Sequence, residues 1–109
     1  MKIKDLIVES CVIMDLKGKD KNEVLTEMVG ALKEAGRIKD ANQAIKDILA
    51  RERQGSTAIR GGVALPHASS TGASQPVMAF GRSAEGVVFD AVDDKPSTLV
   101  FLLLVPSFS

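Results

Sequence analysis

The stretch RERQGSTAIRGGVALPHASS, Arg51 to Ser70, gathers arginines, hydroxyls and the one histidine of a 109-residue chain into a short span. An imidazole has an ordinary pKa of about 6.5, so it is largely neutral at cytoplasmic pH, and a ring nitrogen can attack phosphorus with neither metal nor added base. His67 is therefore a candidate phosphoryl acceptor. Phosphoryl transfer is mostly positioning and charge stabilisation, and the helpers it needs are a guanidinium and short donors. Arg51 offers the first, and Ser56 and Thr57 offer the second. Pro66 stiffens the backbone just ahead of the imidazole, where the apolar run Val63 to Leu65 reads as a strand. Each residue also has a reading without chemistry. His67 fits a surface or satisfied core histidine, and Arg51 fits a cation at a helix C-terminus, worth about 0.3–1 kcal/mol. The hydroxyls of Ser56 and Thr57 fit a turn after Gly55, and Gly61–Gly62 fit a turn that needs positive φ.

Other chemistries match less well. A phosphate-cradling P-loop needs Gly-x-x-x-x-Gly-Lys-Ser/Thr, and Gly55, Gly61 and Gly62 have neither that spacing nor the lysine. The nearest approach to a nucleophile elbow is GRSAE, with Glu85 in place of the second glycine. A triad of His67 with Ser69 or Ser70 and Asp90 or Asp93 is unspecific in a chain with this many serines and aspartates. Cys11 is the sole cysteine; it cannot form an internal disulfide, and with one histidine it cannot complete a zinc site. It reads as a small hydrophobe, and no metal or cofactor is expected.

These residues need a scaffold, and the length fits one domain with one core. Lys and Arg number 14 against 14 Asp and Glu, the pI is near 6.6, and four phenylalanines are the only aromatics. That leaves no basic footprint and few stacking side chains, so nucleic acid is set aside. Asp5 and Glu9 interrupt any apolar leader core, and the most apolar run, LVFLLLV from Leu99 to Val105, is far short of a bilayer span. A cytoplasmic home with no membrane insertion is expected. Cys11 to Leu16 reads as a short strand. Asp20 with Glu23, and Asp40 with Gln43, are helix-start signals. Val24, Leu25, Met28, Val29 and Leu32 form the first apolar stripe; Ala41, Ala44, Ile45, Ile48 and Leu49 form the second, which ends before Gly55 and delivers Arg51, Glu52 and Arg53 at its C-terminal end. Beyond Gly55 the pattern turns to strands: Val63–Leu65, Val77–Gly81, Val87–Phe89 and Thr98–Val105, with SAEG and DDKP as turns between them. One strand, two helices and then strands make an α/β or mixed-sheet domain. The final run reads as an inner strand covered on both faces, yet two amphipathic helices are all the chain offers. One sheet face is therefore expected to be partly bare, so that the chain self-associates or is one piece of a longer protein.

The runs RERQGSTAIRGGVALPHA, AFGRSAEGVVFDAVDDKP and LVFLLLVP closely resemble the enzyme IIA domains of the bacterial phosphoenolpyruvate-dependent sugar phosphotransferase system, in the fructose/mannitol class that includes the nitrogen-regulatory members. The resemblance implies an α/β fold, an α/β/α domain with a mixed central sheet flanked by helices. It places the phosphorylated histidine at His67 and its neighbouring arginine at Arg51. It also implies a histidine-containing phosphocarrier protein as donor and a cysteine of an enzyme IIB domain as acceptor. A regulatory protein of the nitrogen branch, whose binding depends on His67 phosphorylation, is the alternative, and the FGRSAEGVVFDAVDD stretch leans that way. Family members run on past the last strand into helices that carry a second histidine. Residues 1–109 are thus expected to form a single enzyme IIA-like domain, incomplete at its C-terminus and without those helices.

Overall fold

The computed structural model describes residues 3–107, so the ends of the expected 1–109 domain lie outside the described residues. A short helix α1 (Ile3–Leu6) and a single 3-10 turn (Glu9–Cys11) lead into β1 (Val12–Ile13). Then come α2 (Lys21–Glu34) and α3 (Ala41–Arg53), followed by β2 (Val63–Ala64), β3 (His67–Ser70), β4 (Val77–Val87) and β5 (Ser97–Pro106).

Both long helices start where their capping residues dictate. Asp20 accepts a hydrogen bond from the Glu23 N–H at 2.8 Å, and Asp40 accepts one from the Gln43 N–H at 3.0 Å. Each satisfies one of the donors that a helix start leaves unpaired. The reciprocal half of the box differs at the two sites. Glu23 reaches back to the Lys19 N–H at 2.7 Å, whereas Gln43 turns along the helix to donate to Asp47 at 3.0 Å. The stripe of α2 is fully buried at Val24, Leu25, Met28, Val29 and Leu32, and α3 buries Ala44, Ile48 and, one turn further, Glu52.

The sheet is mixed, in the order β1-β4-β5-β2, with β3 also on β5. β4 and β5 are antiparallel; β1 pairs parallel with β4; β2 and β3 lie end to end along the other edge of β5, both parallel to it. The Leu103 N–H donates to the Pro66 carbonyl at 2.9 Å, in the gap between them. One expectation is corrected. SAEG is not a turn between strands: β4 runs on through it to Val87, absorbing the irregularity as a register shift between Arg82 and Val87. Val88 and Phe89 leave the sheet, and Phe89 is buried from the loop. Cover follows the expectation of a partly bare face. Along β5, Val100, Leu102 and Leu104 are buried with the α2 and α3 stripes in the core, while the alternate residues Leu99, Phe101, Leu103 and Val105 are only half-buried. Side chains alternate across a strand, so one face of the sheet carries the helical layer and the opposite face is partly bare among the described residues. On that open face Phe101 and Phe80 pack with ring centroids 4.9 Å apart.

The return from β3 sets α3 alongside it. The Gly72 carbonyl accepts from the Lys39 and Asp40 N–H groups at 2.9 and 3.3 Å, and a Cβ on Gly72 would lie 2.5 Å from the Asp40 carbonyl oxygen. The end of β3 is thereby held at the start of α3. The two elements run antiparallel in contact, and the last turn of α3 lies beside the first residue of β3.

Candidate functional site

That arrangement joins the two ends of the motif. Arg51, in the last turn of α3, and His67, the first residue of β3, line one cavity of about 290 Å³ with Ala68, Ser69, Leu103 and Val105. His67 pairs with Leu103 and Ser69 with Val105 in the strand register, so the imidazole stands at the edge of the half-bare sheet face, exposed to solvent.

The imidazole is held by one ring nitrogen. Nδ1 of His67 lies 2.8 Å from the Leu65 carbonyl oxygen. A carbonyl only accepts, so Nδ1 carries the hydrogen and the lone pair stands on Nε2. The Leu65 carbonyl is fixed in turn by a small hairpin. The Leu65 N–H donates to the Thr57 carbonyl at 3.1 Å and the Ile59 N–H to the Val63 carbonyl at 2.8 Å. Gly61 and Gly62 close this hairpin with φ of 83° and 79°, a region that costs a side-chain-bearing residue about 1–2 kcal/mol. The Gly62 carbonyl accepts from the Thr98 and Leu99 N–H groups at 2.8 and 3.1 Å, which pins the turn to the start of β5. The Gly61 N–H donates to Asp93 at 3.1 Å; that bond, followed by one from the Lys95 N–H, holds the Asp93 carboxyl below its ordinary range.

Arg51 donates from Nη1 to the Gly55 carbonyl at 2.9 Å. One of its donors is thus used on the chain's own turn, and a guanidinium has further N–H groups to offer. Ser56 and Thr57 are placed differently. The Ser56 hydroxyl donates to the Phe89 carbonyl and accepts from the Ala58 N–H at 3.0 Å. The buried Thr57 hydroxyl donates to Oε1 of Glu52. Neither residue lines the cavity that holds His67 and Arg51.

Glu52 is the residue that a reading by type passes over as helix-end charge. Its side chain is 3% exposed, and Oε2 lies 3.2 Å from Nζ of Lys21 without an aligned hydrogen bond, so charge alone balances that oxygen. Its spacing from Ala44 and Ile48, four residues per step, is the signal that places it under the core stripe. Cys11 is fully buried against α2, and burial pushes its thiol pKa up. Among the described residues no group of three or more His, Cys, Asp or Glu is placed to hold a metal ion, and no helix is long and apolar enough to cross a membrane.

Comparison with known proteins identifies the family. Residues 5–108 match the family model for the phosphoenolpyruvate-dependent sugar phosphotransferase system, EIIA 2. The fructose-specific EIIABC component of Bacillus subtilis is 39% identical over 103 residues, which are 94% of this chain and 16% of that protein. The fructose-specific EIIA component of Haloferax volcanii is 46% identical over 74 residues, 68% of this chain and 48% of that one. The chain therefore spans less than half the length of either relative. Among solved structures, the nitrogen regulatory protein IIA-Ntr from Neisseria meningitidis superposes with a TM-score of 0.88 at 34% identity, over 98% of this chain and 73% of that one. With nearly its whole described length matched to that model and its fold shared with that structure, the chain belongs to the EIIA 2 family of the phosphoenolpyruvate-dependent sugar phosphotransferase system.

Proposed function

We propose that this chain is a cytoplasmic phosphocarrier in sugar uptake, with Nε2 of His67 as the phosphoryl acceptor. The donor is the phosphohistidine of the histidine-containing phosphocarrier protein. The Nε2 lone pair forms the new N–P bond as the donor's N–P bond breaks and its nitrogen leaves with the electron pair, while Nδ1 keeps its proton and goes on donating it to the Leu65 carbonyl. A cysteine thiolate of an enzyme IIB domain then attacks the same phosphorus, and Nε2 leaves with its electron pair. Arg51 braces the phosphoryl oxygens. The observation that carries the reading is the Nδ1 contact to the Leu65 carbonyl at 2.8 Å, which leaves the exposed nitrogen as the nucleophile. Two fructose-specific relatives support the sugar branch. The hydroxyls of Ser56 and Thr57, turned to Phe89 and Glu52, support these residues by holding the loop rather than by binding phosphate.

Incubation with phosphoenolpyruvate, enzyme I and the phosphocarrier protein is expected to add one acid-labile phosphoryl group, and His67→Ala is expected to abolish it. Label retained in His67→Ala overturns the assignment. The likeness to a nitrogen regulatory protein favours a second reading, in which phosphorylation of His67 switches a binding partner. Onward transfer to an enzyme IIB cysteine selects the first reading. A partner captured in only one phosphorylation state, with no onward transfer, selects the second. The half-bare sheet face further supports self-association of the chain.

A further inference from the structure

We propose that Glu52, with Lys21 and Thr57, forms a buried clamp that positions the His67 imidazole; the inference deepens the phosphocarrier reading and rests on it. Oε1 of Glu52 accepts the Thr57 hydroxyl. Oε2 lies 3.2 Å from Nζ of Lys21 at the start of α2. That ammonium also lies 5.6 Å from the Phe89 ring centroid and 3.8 Å from Oδ2 of the exposed Asp90. Glu52 and Lys21 together thus tie the ends of two helices to the loop that opens the hairpin and to the segment ahead of β5.

The tie continues to the nucleophile. Thr57 is gripped at its side chain by Glu52, and its main-chain carbonyl accepts the Leu65 N–H at 3.1 Å. The Leu65 carbonyl accepts Nδ1–H of His67 at 2.8 Å. Three hydrogen bonds in series therefore join a buried carboxylate to the ring whose tautomer decides which nitrogen is the nucleophile. Stability does not account for this choice of residue. A buried ion pair is commonly matched or bettered by an apolar side chain of similar volume, and Ala44 and Ile48 on the same face of α3 show what the core otherwise accepts there. What an apolar residue cannot do is hold the Thr57 hydroxyl in one direction, and through it the height of the Leu65 carbonyl. Glu52 touches no substrate in this scheme; it is a positioning residue acting through Thr57.

The test separates geometry from transfer. Thr57→Val removes the hydroxyl at nearly constant volume, and Thr57→Ser keeps it. Nitrogen-15 NMR of the unphosphorylated imidazole at alkaline pH reads the tautomer directly. Wild type and Thr57→Ser are expected to show the Nδ1–H form, and folded Thr57→Val a shift toward the Nε2–H form. Transfer from the phosphorylated phosphocarrier protein is expected to slow about tenfold or more in Thr57→Val, the scale on which small misplacements act, and to recover in Thr57→Ser. A folded Thr57→Val with wild-type tautomer and rate overturns the clamp, as does a Thr57→Ser that behaves like Thr57→Val. Should Thr57→Val fail to fold, Lys21→Met, which strips the counter-charge from the partly exposed side of the cluster, is read the same way: a tautomer shift supports the clamp and an unchanged tautomer overturns it. If wild type takes up no phosphoryl group at all, the phosphocarrier reading fails, and the tautomer measurement still decides the clamp.

Discussion

Arg51 and His67 line one cavity where the last turn of α3 passes the first residue of β3, and under the proposed transfer the shape of the arginine head group is expected to matter as much as its charge. One Nη1 donor is held by the Gly55 carbonyl, which aims the planar fork, and a fork can contact two phosphoryl oxygens at once where a lysine is a point charge. Arg51→Lys is therefore expected to slow transfer about tenfold, equivalent to about 1.4 kcal/mol, with an unchanged melting curve. A cation serving only the helix dipole would be replaced by lysine without effect on the rate, so unaltered kinetics would remove Arg51 from the site. The pairing of a histidine with an arginine is legible in the sequence because both types carry their chemistry wherever they sit. The hydroxyls of Ser56 and Thr57 are not legible in that way. A hydroxyl has no preferred role until its partner is known, and the partners here, Phe89 and Glu52, come from other parts of the chain. Glu52 is hidden for the opposite reason: carboxylates are almost always solvated, and its place on the buried stripe shows only when position is weighed above type.

Helix starts are the most legible elements, because Asp20 and Asp40 act on N–H groups three residues away and need nothing from the rest of the molecule. The strands are less so. SAEG has turn composition, yet pairing to β5 carries the chain straight through it, and Gly86 at φ 85° supplies the kink that the register shift needs. The Gly61–Gly62 turn has a pH dependence of its own. The Gly61 N–H, and after it the Lys95 N–H, depress the pKa of Asp93. A carboxyl whose folded pKa lies below its unfolded value, about 3.9, contributes stability that is present above that value and is lost as pH falls through the folded pKa. Carbon-13 titration of the Asp93 carboxyl is expected to give a midpoint below the ordinary aspartate value, with Gly61 amide exchange, corrected for intrinsic pH effects, rising only beneath it. A midpoint at or above the ordinary value would show that the turn does not hold Asp93 in solution.

At the scale of the whole molecule, the sheet has a finished side and an unfinished one. Val100, Leu102 and Leu104 are sealed under α2 and α3, while Leu99, Phe101, Leu103 and Val105 share the other face with Met78 and Phe80 and remain half-buried. A contiguous apolar face of this kind offers a surface on which a second copy of the chain can pack. Sedimentation of these residues is expected to show association at micromolar concentration, together with binding of a hydrophobic dye. A monodisperse monomer with a cooperative melt and no dye signal would show that the chain closes its own core. β5 has a second part in the molecule, set by what hangs from its outer edge. Thr98 and Leu99 hold the Gly62 carbonyl, Leu103 holds the Pro66 carbonyl, and Leu103 is also the register partner of His67. The strand thus works as a ruler, with the glycine turn and the histidine at fixed marks. Deleting one residue between Leu99 and Leu103 would shorten the interval by about 3.3 Å and turn the following side chains to the opposite face. The strand would still pair and the core would still find apolar partners, but the imidazole of His67 would be carried off its mark, so the length of this segment is as much a part of the proposed site as any side chain in it.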